Sequence, residues 1–269
     1  MDDPNLFEGD MYLSTAQRYA AMTGRDVSKA GLGRASINKN LWPNGVLVYQ
    51  LDPAIESDAM NAINAAIKIW EQKTCIRFKK RTNEQDYCYV HIGAGCTSYV
   101  GRQGNRQLVS LARGCWLTHT VAHEFGHALG FYHEQSRPDR DNYVTINWNN
   151  IYDRYKFAFN KYPASTINSL GTEYDYGSVM HYEAYAFSKN REPSITPKKN
   201  GVTLSNRKGP SEIDVQQMNL LYKCSGGGGG GGGGSSCQDK INKCSQWFKQ
   251  YCSWHQYVRE NCKRSCKLC

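Results

Sequence analysis

Three histidines and a glutamate lie close together near the middle of the chain, in the segment His123-Glu124-Phe125-Gly126-His127-Ala128-Leu129-Gly130-Phe131-Tyr132-His133. Residues four apart share one face of an α-helix, so His123 and His127 can bind a single metal ion from consecutive turns. Glu124 then lies beside the ion, where it can accept a proton from a water that the metal activates. The pattern predicts a zinc site that hydrolyses peptide bonds without a covalent intermediate.

The third histidine follows a glycine that can end the helix. Gly130 adopts a left-handed conformation at little cost, and the turn it allows brings His133 round as a third ligand while leaving one coordination position open. The alternative interpretation is a buried amphipathic helix with incidental histidines, which leaves the joint spacing of His, Glu and Gly unexplained. The sequence contains no Gly-x-Ser-x-Gly element and no phosphate-binding glycine loop that would indicate other chemistry.

Two further segments make the chain resemble the astacin family of zinc endopeptidases over residues 35–224. They are His133-Glu134-Gln135-Ser136-Arg137-Pro138-Asp139-Arg140-Asp141 and Ser178-Val179-Met180-His181-Tyr182. The resemblance implies an α+β, two-lobed metzincin fold with a twisted sheet and a zinc-bearing helix. It places Met180 in the turn beneath the zinc and makes Tyr182 both a zinc ligand and a stabiliser of the transition-state oxyanion. It also implies that Glu134 meets the new amino terminus of the mature enzyme.

The start of the chain is similar to the short Phe-x-Gly-Asp element of astacin propeptides, here Phe7-Glu8-Gly9-Asp10. The resemblance implies that Asp10 binds the zinc in place of water and keeps the proenzyme inactive. The alternative is an ordinary surface turn, since Gly-Asp pairs are common in turns. We expect residues 1–34 to be a propeptide that a trypsin-like protease removes after Arg34, so that the mature enzyme begins at Ala35.

Secretion is expected although the first residues lack the apolar run of a signal peptide, because the cysteine content is typical of an oxidising compartment. The predicted signal would then have been removed from this sequence. No stretch of the sequence is long and apolar enough to span a bilayer.

The cysteines fall into two groups. Four match astacin positions, and the resemblance implies the disulfide bonds Cys75–Cys224 and Cys96–Cys115. Cys88 has no family partner, so it is either buried and inert or joins two chains.

The other six cysteines lie in residues 237–269, a segment too short to build a core without disulfides or a metal. Its spacing, with Cys262-x3-Cys266-x2-Cys269 at the end, resembles the ShK toxin domain. That resemblance implies the pairs Cys237–Cys269, Cys244–Cys262 and Cys252–Cys266. A zinc knuckle is the alternative. A Gly/Ser linker at 225–236 is expected to act as a flexible tether to the catalytic domain.

Two other functions compete with a protease. In a toxin or channel modulator led by the tail, Tyr257 matches the tyrosine of the channel-blocking pair, but Gln256 replaces the lysine that plugs the pore. A tail that contacts extracellular matrix or a cell surface is compatible with its basic and aromatic residues. A catalytically dead binding protein is the second rival, and the intact Glu124 and zinc-ligand set oppose it.

The remaining patterns predict elements around the zinc helix. Apolar residues recur at helical spacing over 56–74, strands are expected at 45–51, 76–78 and 89–92, and a last helix opens at Ser211. The segment 96–101 matches the sheet edge on which astacins bind extended peptides. Arg207 lies where relatives that prefer an acidic residue after the cut carry an arginine. The alternative for Arg207 is a solvated turn.

The net charge of +9 suggests affinity for acidic extracellular surfaces, but the basic residues are scattered and no nucleic-acid motif is present. Nucleic acid is therefore not an expected partner. Protein and peptide substrates are expected.

Overall fold

The computed structural model describes residues 6–23, 41–162 and 167–224. The chain divides into two units, Met1–Gly227 and Gly228–Cys269. The second unit lies outside the described residues, together with the Gly/Ser linker and the three disulfide bonds predicted for the tail. The predicted cleavage point between Arg34 and Ala35 also lies outside them.

The first unit contains a seven-stranded mixed sheet with the strand order β1-β2-β6-β7-β5-β3-β4. We call the part of the unit built on this sheet the upper part and the remainder the lower part. The strands are β1 (Leu6–Phe7), β2 (Met11–Tyr12), β3 (Val46–Leu51), β4 (Arg77–Lys80), β5 (Tyr87–His91), β6 (Cys96–Tyr99) and β7 (Arg106–Leu111). Strand β6 is antiparallel to β7, whereas β7, β5, β3 and β4 run parallel to one another. The short hairpin β1–β2 extends the sheet beyond β6, and β2 is parallel to β6.

Among the described residues, four α-helices accompany the sheet: α1 (Thr15–Thr23), α2 (Ser57–Lys73), α3 (Thr118–Ala128) and α4 (Glu212–Leu221). Helix α2 buries Ala59, Ala62, Ile63, Ala66 and Trp70, which recur at the spacing of one helical face. The indole nitrogen of Trp70 donates a hydrogen bond to the carbonyl of Ala122, 3.0 Å away, and so fixes α3 against α2. The helix predicted over 56–74 is present as α2, and the strands expected at 45–51, 76–78 and 89–92 correspond to β3, β4 and β5.

The lower part of the unit has its own hydrophobic core around Ile151, Phe159 and Ile195. It contains the antiparallel pair β8 (Val144–Ile146) and β9 (Ile195–Pro197). The remaining elements are 3-10 turns at Pro43–Gly45, Glu134–Ser136, Arg140–Asn142, Trp148–Asn150 and Asp153–Phe159. The cleft with the three histidines adjoins both cores, since α3 packs into the core of the sheet and Tyr182 of the lower core lies against His133.

Helix α4 holds the methionine turn in place. Ser211 and Asp214 form a capping box at its first turn. The carboxylate of Asp214 also accepts hydrogen bonds from Ser178 Oγ at 2.6 Å and from the backbone nitrogen of Val179 at 2.9 Å. The same buried acid thus caps the helix and positions the residues before Met180.

Disulfide bonds join Cys75 to Cys224 and Cys96 to Cys115, with Cα atoms 5.5 Å and 5.6 Å apart. The first ties the end of α2 to the end of α4. Cys88 is fully buried on β5, and burial raises the pKa of its thiol. Its burial agrees with the inert interpretation rather than with an intermolecular bridge.

Within the described residues, none of the helices combines the length and apolar character needed to cross a bilayer.

Candidate metal centre

His123 and His127 lie on consecutive turns of α3 and face the cleft, as the four-residue spacing requires. Their Nε2 atoms are 3.0 Å apart. Both Nδ1 atoms bind backbone carbonyl oxygens, that of Val179 at 2.8 Å and that of Phe131 at 2.8 Å. Because a carbonyl only accepts hydrogen bonds, each Nδ1 must carry the proton, and in a neutral imidazole each Nε2 then presents a lone pair. Two facing lone pairs indicate a cation between them.

His133 and Asp10 complete the cluster. The Oδ2 atom of Asp10 is 3.1 Å from His123 Nε2 and 3.1 Å from His133 Nε2. One ligand atom from each of these residues and from His127 lies within 4.8 Å of all the others. Gly130, with φ +114°, makes the turn that returns His133 to the two helical ligands. Three imidazoles and a carboxylate positioned in this way are a zinc-binding set.

The polar atoms of the cluster also fit a metal ion. Asp10 Oδ1 is buried and accepts no hydrogen bond from the described residues. Burial lowers the pKa of His127, as does the neighbouring His123, to about 4, so this imidazole is neutral and able to bind metal. Burial would also lower the pKa of His133, but the carboxylates of Asp10 and Glu8 raise it to about 10. The cluster therefore favours positive charge at its centre, which a zinc ion supplies.

Glu124 lies next to the cluster without belonging to the ligand set. Its side chain is buried, and its Oε2 has no hydrogen-bond partner among the described residues. Burial raises its pKa well above the ordinary value, and the charge of Asp10 raises it further. A carboxyl group with a raised pKa beside a metal site suits proton transfer near neutral pH.

Met180 and Gly126 explain how the turn beneath the ligands approaches α3. A Cβ atom on Gly126 would lie 2.8 Å from Met180 Sδ, so only glycine permits this contact. The carbonyl of Met180 accepts a hydrogen bond from the backbone nitrogen of Glu134, at 3.0 Å. Met180 thus packs directly under the metal-binding helix and tethers the segment that follows His133.

Tyr182 is buried beside the third histidine, with ring centroids 4.7 Å apart. Its hydroxyl donates a hydrogen bond to the main-chain carbonyl of Glu8. Burial raises the pKa of Tyr182 well above its usual range, as do the charges of Glu8 and Asp10, so the phenol remains a neutral donor. In this structure Tyr182 binds the N-terminal segment.

The N-terminal segment crosses the cleft along the sheet edge. Met11 and Tyr12 pair with Ser98 and Tyr99 of β6, and the backbone nitrogen of Ser98 donates to the carbonyl of Asp10 at 2.9 Å. Gly9 adopts φ +92°, and a Cβ atom there would lie 2.8 Å from Phe187 Cζ. The segment therefore covers both the predicted substrate edge and the metal centre.

Glu8 is a site residue that the sequence analysis missed. Its Oε2 lies 2.6 Å from His133 Nδ1, and its Oε1 accepts a hydrogen bond from Ser136 Oγ at 2.8 Å. The one sequence signal is an acidic residue two positions before Asp10, which by itself does not distinguish a buried carboxylate from an exposed one.

Glu134 is buried in the lower part of the unit, where its Oε1 accepts from Arg137 Nη1 at 3.0 Å and from the nitrogen of Asp175 at 2.8 Å. Burial raises its pKa to about 7, with Arg137 opposing the shift. A small cavity of about 40 Å³ adjoins it, lined among others by Arg137, Leu170 and Gln217.

Arg207 does not belong to the metal-binding cluster. Its side chain is 72% exposed and makes a two-pronged ion pair with Glu183, with N–O distances of 2.9 Å. Its charge lowers the pKa of His119, in the first turn of α3, after the larger effect of burial. The arginine is therefore near the cleft but already paired.

Comparison with known proteins agrees with this site. The family model for astacin, a peptidase family, matches residues 34–223, and the model for ShK domain-like sequences matches residues 236–269. Zinc metalloproteinase nas-15 of Caenorhabditis elegans is 41% identical over 232 residues, which cover 83% of this chain and 40% of that protein. Blastula protease 10 of Paracentrotus lividus is 39% identical over 81% of this chain and 38% of its own length. The chain thus spans about two fifths of the length of these relatives.

Among solved structures, high choriolytic enzyme 1, a hatching enzyme zinc-protease from the medaka Oryzias latipes, is 41% identical. The match covers 70% of this chain and 96% of that one, with a TM-score of 0.66. Myroilysin shares the fold, with a TM-score of 0.52 at 23% identity over 70% of this chain and 97% of its own. The predicted fold class and both predicted family resemblances are confirmed.

Proposed function

Because the chain belongs to the astacin family of peptidases, we propose that it is a secreted zinc endopeptidase in its proenzyme form. Residues 1–34 are its propeptide, 35–224 its catalytic domain, 225–236 a linker and 237–269 an ShK-like domain. The observation that carries the proposal is that one ligand atom from each of His123, His127, His133 and Asp10 lies within 4.8 Å of the others. The three histidines belong to the proposed catalytic domain, whereas the carboxylate comes from the N-terminal segment and would take the place of a water ligand.

The residues around the ligands have distinct roles in hydrolysis. His123, His127 and His133 would hold a zinc ion, which when bound would supply polarisation of a substrate carbonyl and acidification of a water molecule. Glu124 acts as the general base and then donates the proton to the leaving amine, because burial keeps its pKa raised. Tyr182 donates a hydrogen bond to the oxyanion that develops on the substrate. That role requires the phenol to leave the carbonyl of Glu8, which it binds in the latent form.

Latency follows from two obstacles that the N-terminal segment creates. Asp10 occupies the ligand position that a substrate needs, and β2 pairs with β6, the edge where an extended peptide would bind. Removal of residues 1–34 eliminates both obstacles. The contacts of β1 and β2 therefore explain why the enzyme would need cleavage to become active.

Activation also creates an ammonium group at Ala35, and we assign Glu134 as its partner. The carboxyl group lies against a small cavity and has a pKa raised to about 7 by burial. A cation in that cavity would favour the ionised carboxylate and offset the cost of burying it. The trypsin-like specificity of the activator follows from Arg34 at the proposed boundary.

The substrates we propose are extracellular proteins, and the ShK-like tail would direct the enzyme to a surface or matrix through the linker. A tethered module raises the local concentration of the catalytic domain near whatever the module binds. The match to residues 236–269 and the basic, aromatic composition of the tail support this assignment.

Casein hydrolysis by the full chain, before and after limited trypsin treatment, tests the proposal. We expect activity only after a cut that N-terminal sequencing places at Ala35, and we expect its loss with a chelator. Glu124→Ala is the matched control, since it preserves the ligands and removes the base. Activity that survives in this variant would exclude the mechanism, and an inactive, zinc-loaded, correctly cleaved enzyme would contradict the proposed function.

A further inference from the structure

The three histidine ligands differ in which part of the chain provides the hydrogen-bond partner of the Nδ1 atom. The Nδ1 atoms of His123 and His127 bind the carbonyls of Val179 and Phe131, which belong to the catalytic domain. The Nδ1 atom of His133 binds the carboxylate of Glu8, which belongs to the propeptide. The third ligand therefore loses its partner when the propeptide is removed, whereas the other two keep theirs.

The contact of Glu8 has the features of a built site. Its side chain and that of His133 are both fully buried, and the two atoms are 2.6 Å apart. The second carboxylate oxygen is held by Ser136 Oγ, and the main-chain carbonyl is held by Tyr182. A carboxylate that accepts from a metal-bound imidazole fixes the orientation of the ring and makes it a better donor to the ion.

The backbone at Glu8 is also unfavourable for a residue with a side chain. Its φ is +54°, a left-handed value, and Gly9 follows with φ +92°. Such a conformation is unfavourable for a residue with a Cβ atom and persists only where surrounding contacts impose it. Those contacts are the bonds to His133, Ser136 and Tyr182.

We propose that Glu8 is a positioning residue that makes the proenzyme hold zinc more tightly than the mature enzyme does. Asp10 would provide a carboxylate ligand of the ion, and the Glu8 carboxylate binds Nδ1 of His133, the third histidine ligand. Both carboxylates are lost when the propeptide is removed. The propeptide would then retain the metal during folding and secretion as well as block the cleft. This inference rests on the proposed zymogen and adds a second role for its N-terminal segment.

The test is a chelator competition that measures the zinc dissociation constant of the intact full-length chain. We expect Glu8→Ala to weaken zinc binding about 10- to 100-fold, the usual effect of losing such a partner. Glu8→Gln keeps the shape and one acceptor, so it should fall between the wild type and Glu8→Ala. Phe7→Ala is the matched control, because Phe7 packs against Phe157 and Tyr162 rather than against a metal ligand. It should leave zinc affinity within a few-fold of the wild type.

Two further measurements separate ligand positioning from a general loosening of the propeptide. The visible spectrum of the cobalt-loaded proenzyme should change in Glu8→Ala and remain unchanged in Phe7→Ala. After trypsin activation, wild type and Glu8→Ala become the same mature chain, so their zinc affinities and casein activities must converge. Equal activity after the cut shows that the proposed function holds independently of the role of Glu8.

Equal zinc affinities in the intact wild type and Glu8→Ala would overturn the inference. So would an equal loss in Glu8→Ala and Phe7→Ala, which would show that propeptide docking alone retains the metal. If Glu8→Ala does not fold, Glu8→Gln decides by the same comparison, and affinity equal to wild type in that variant overturns the charge-assisted contact.

Discussion

The Nε2 atoms of His123 and His127 lie 3.0 Å apart, and each presents a lone pair toward the other when the Nδ1 of its neutral ring donates to a backbone carbonyl. Removal of the metal leaves these lone pairs and the Asp10 carboxylate in mutual repulsion. We predict that a chelator lowers the melting temperature of the intact chain by roughly 10 °C, the effect of losing about 4 kcal/mol of ligand binding. Differential scanning calorimetry checks this, and re-addition of zinc should restore the transition. An unchanged melting temperature in metal-free protein would contradict a structural contribution of the ion.

Gly9→Ala should weaken latency. The new Cβ would lie 2.8 Å from Phe187 Cζ, in a backbone conformation of φ +92° that side chains disfavour. A penalty of about 1.4 kcal/mol would raise the open population about tenfold, so the uncut variant should show casein activity that the uncut wild type lacks. Gly201→Ala is the control, since Gly201 has φ +74° and open space around it. Equal basal activity in the two variants would show that the tight turn at Gly9 does not keep the uncut chain inactive.

Gly126→Ala should destabilise the catalytic domain because its Cβ would overlap Met180 Sδ. Overpacking of this kind costs about 1–3 kcal/mol, although alanine is otherwise the better helix former. Urea unfolding of the zinc-loaded chain measures the loss. The double variant Gly126→Ala/Met180→Ala removes the clashing sulfur, so it should be less destabilised than the sum of the two single changes. Strict additivity would argue against direct contact between helix and turn.

His181 should contribute to acid sensitivity. Burial lowers its pKa to about 4, from an ordinary value of 6.5, while its nitrogens bind the carbonyl of Tyr182 and the hydroxyl of Tyr174. A base whose folded pKa is depressed stabilises the fold above pH 6.5, and that contribution is lost as the pH falls toward 4. His181→Gln keeps both hydrogen bonds without titrating. Between about pH 7 and 4 it should lose less unfolding free energy than the wild type, by at most roughly 3 kcal/mol. Parallel losses in the two proteins would exclude this residue.

Arg207 is our proposed determinant of an acidic preference after the scissile bond. Its ion pair with Glu183 is exposed, so a substrate carboxylate can compete for it. Arg207→Ala should lower kcat/KM for peptides with Asp or Glu after the cut by roughly fivefold relative to their amide counterparts, the effect of one exposed ion pair. Glu183→Ala frees the arginine and should strengthen the preference. Unchanged discrimination in both variants would leave Arg207 as a surface residue.

The parts of the fold and site that sequence reasoning anticipates depend on local periodicity. The spacing of His123 and His127 requires a helix, and the apolar positions of α2 and the capping residues of α4 are equally local. Glu8 escapes this reasoning because its burial depends on a hairpin two residues per strand long and on a left-handed backbone. The pairing of Arg207 with Glu183 likewise arises from tertiary contact between segments 24 residues apart. Sequence patterns indicate which residues can bind metal, whereas the hydrogen-bond and ion-pair partners of the site residues can be identified only from the folded structure.

In the proposed proenzyme, Asp10 of the propeptide supplies the fourth ligand of the zinc ion. Diffraction data collected at the zinc edge from crystals of the intact chain locate the ion relative to Asp10 and so decide this point. We expect one anomalous peak about 2.0–2.2 Å from the Nε2 atoms of His123, His127 and His133 and from an oxygen of Asp10. A peak held by the three histidines and a water, with Asp10 turned away, would contradict it.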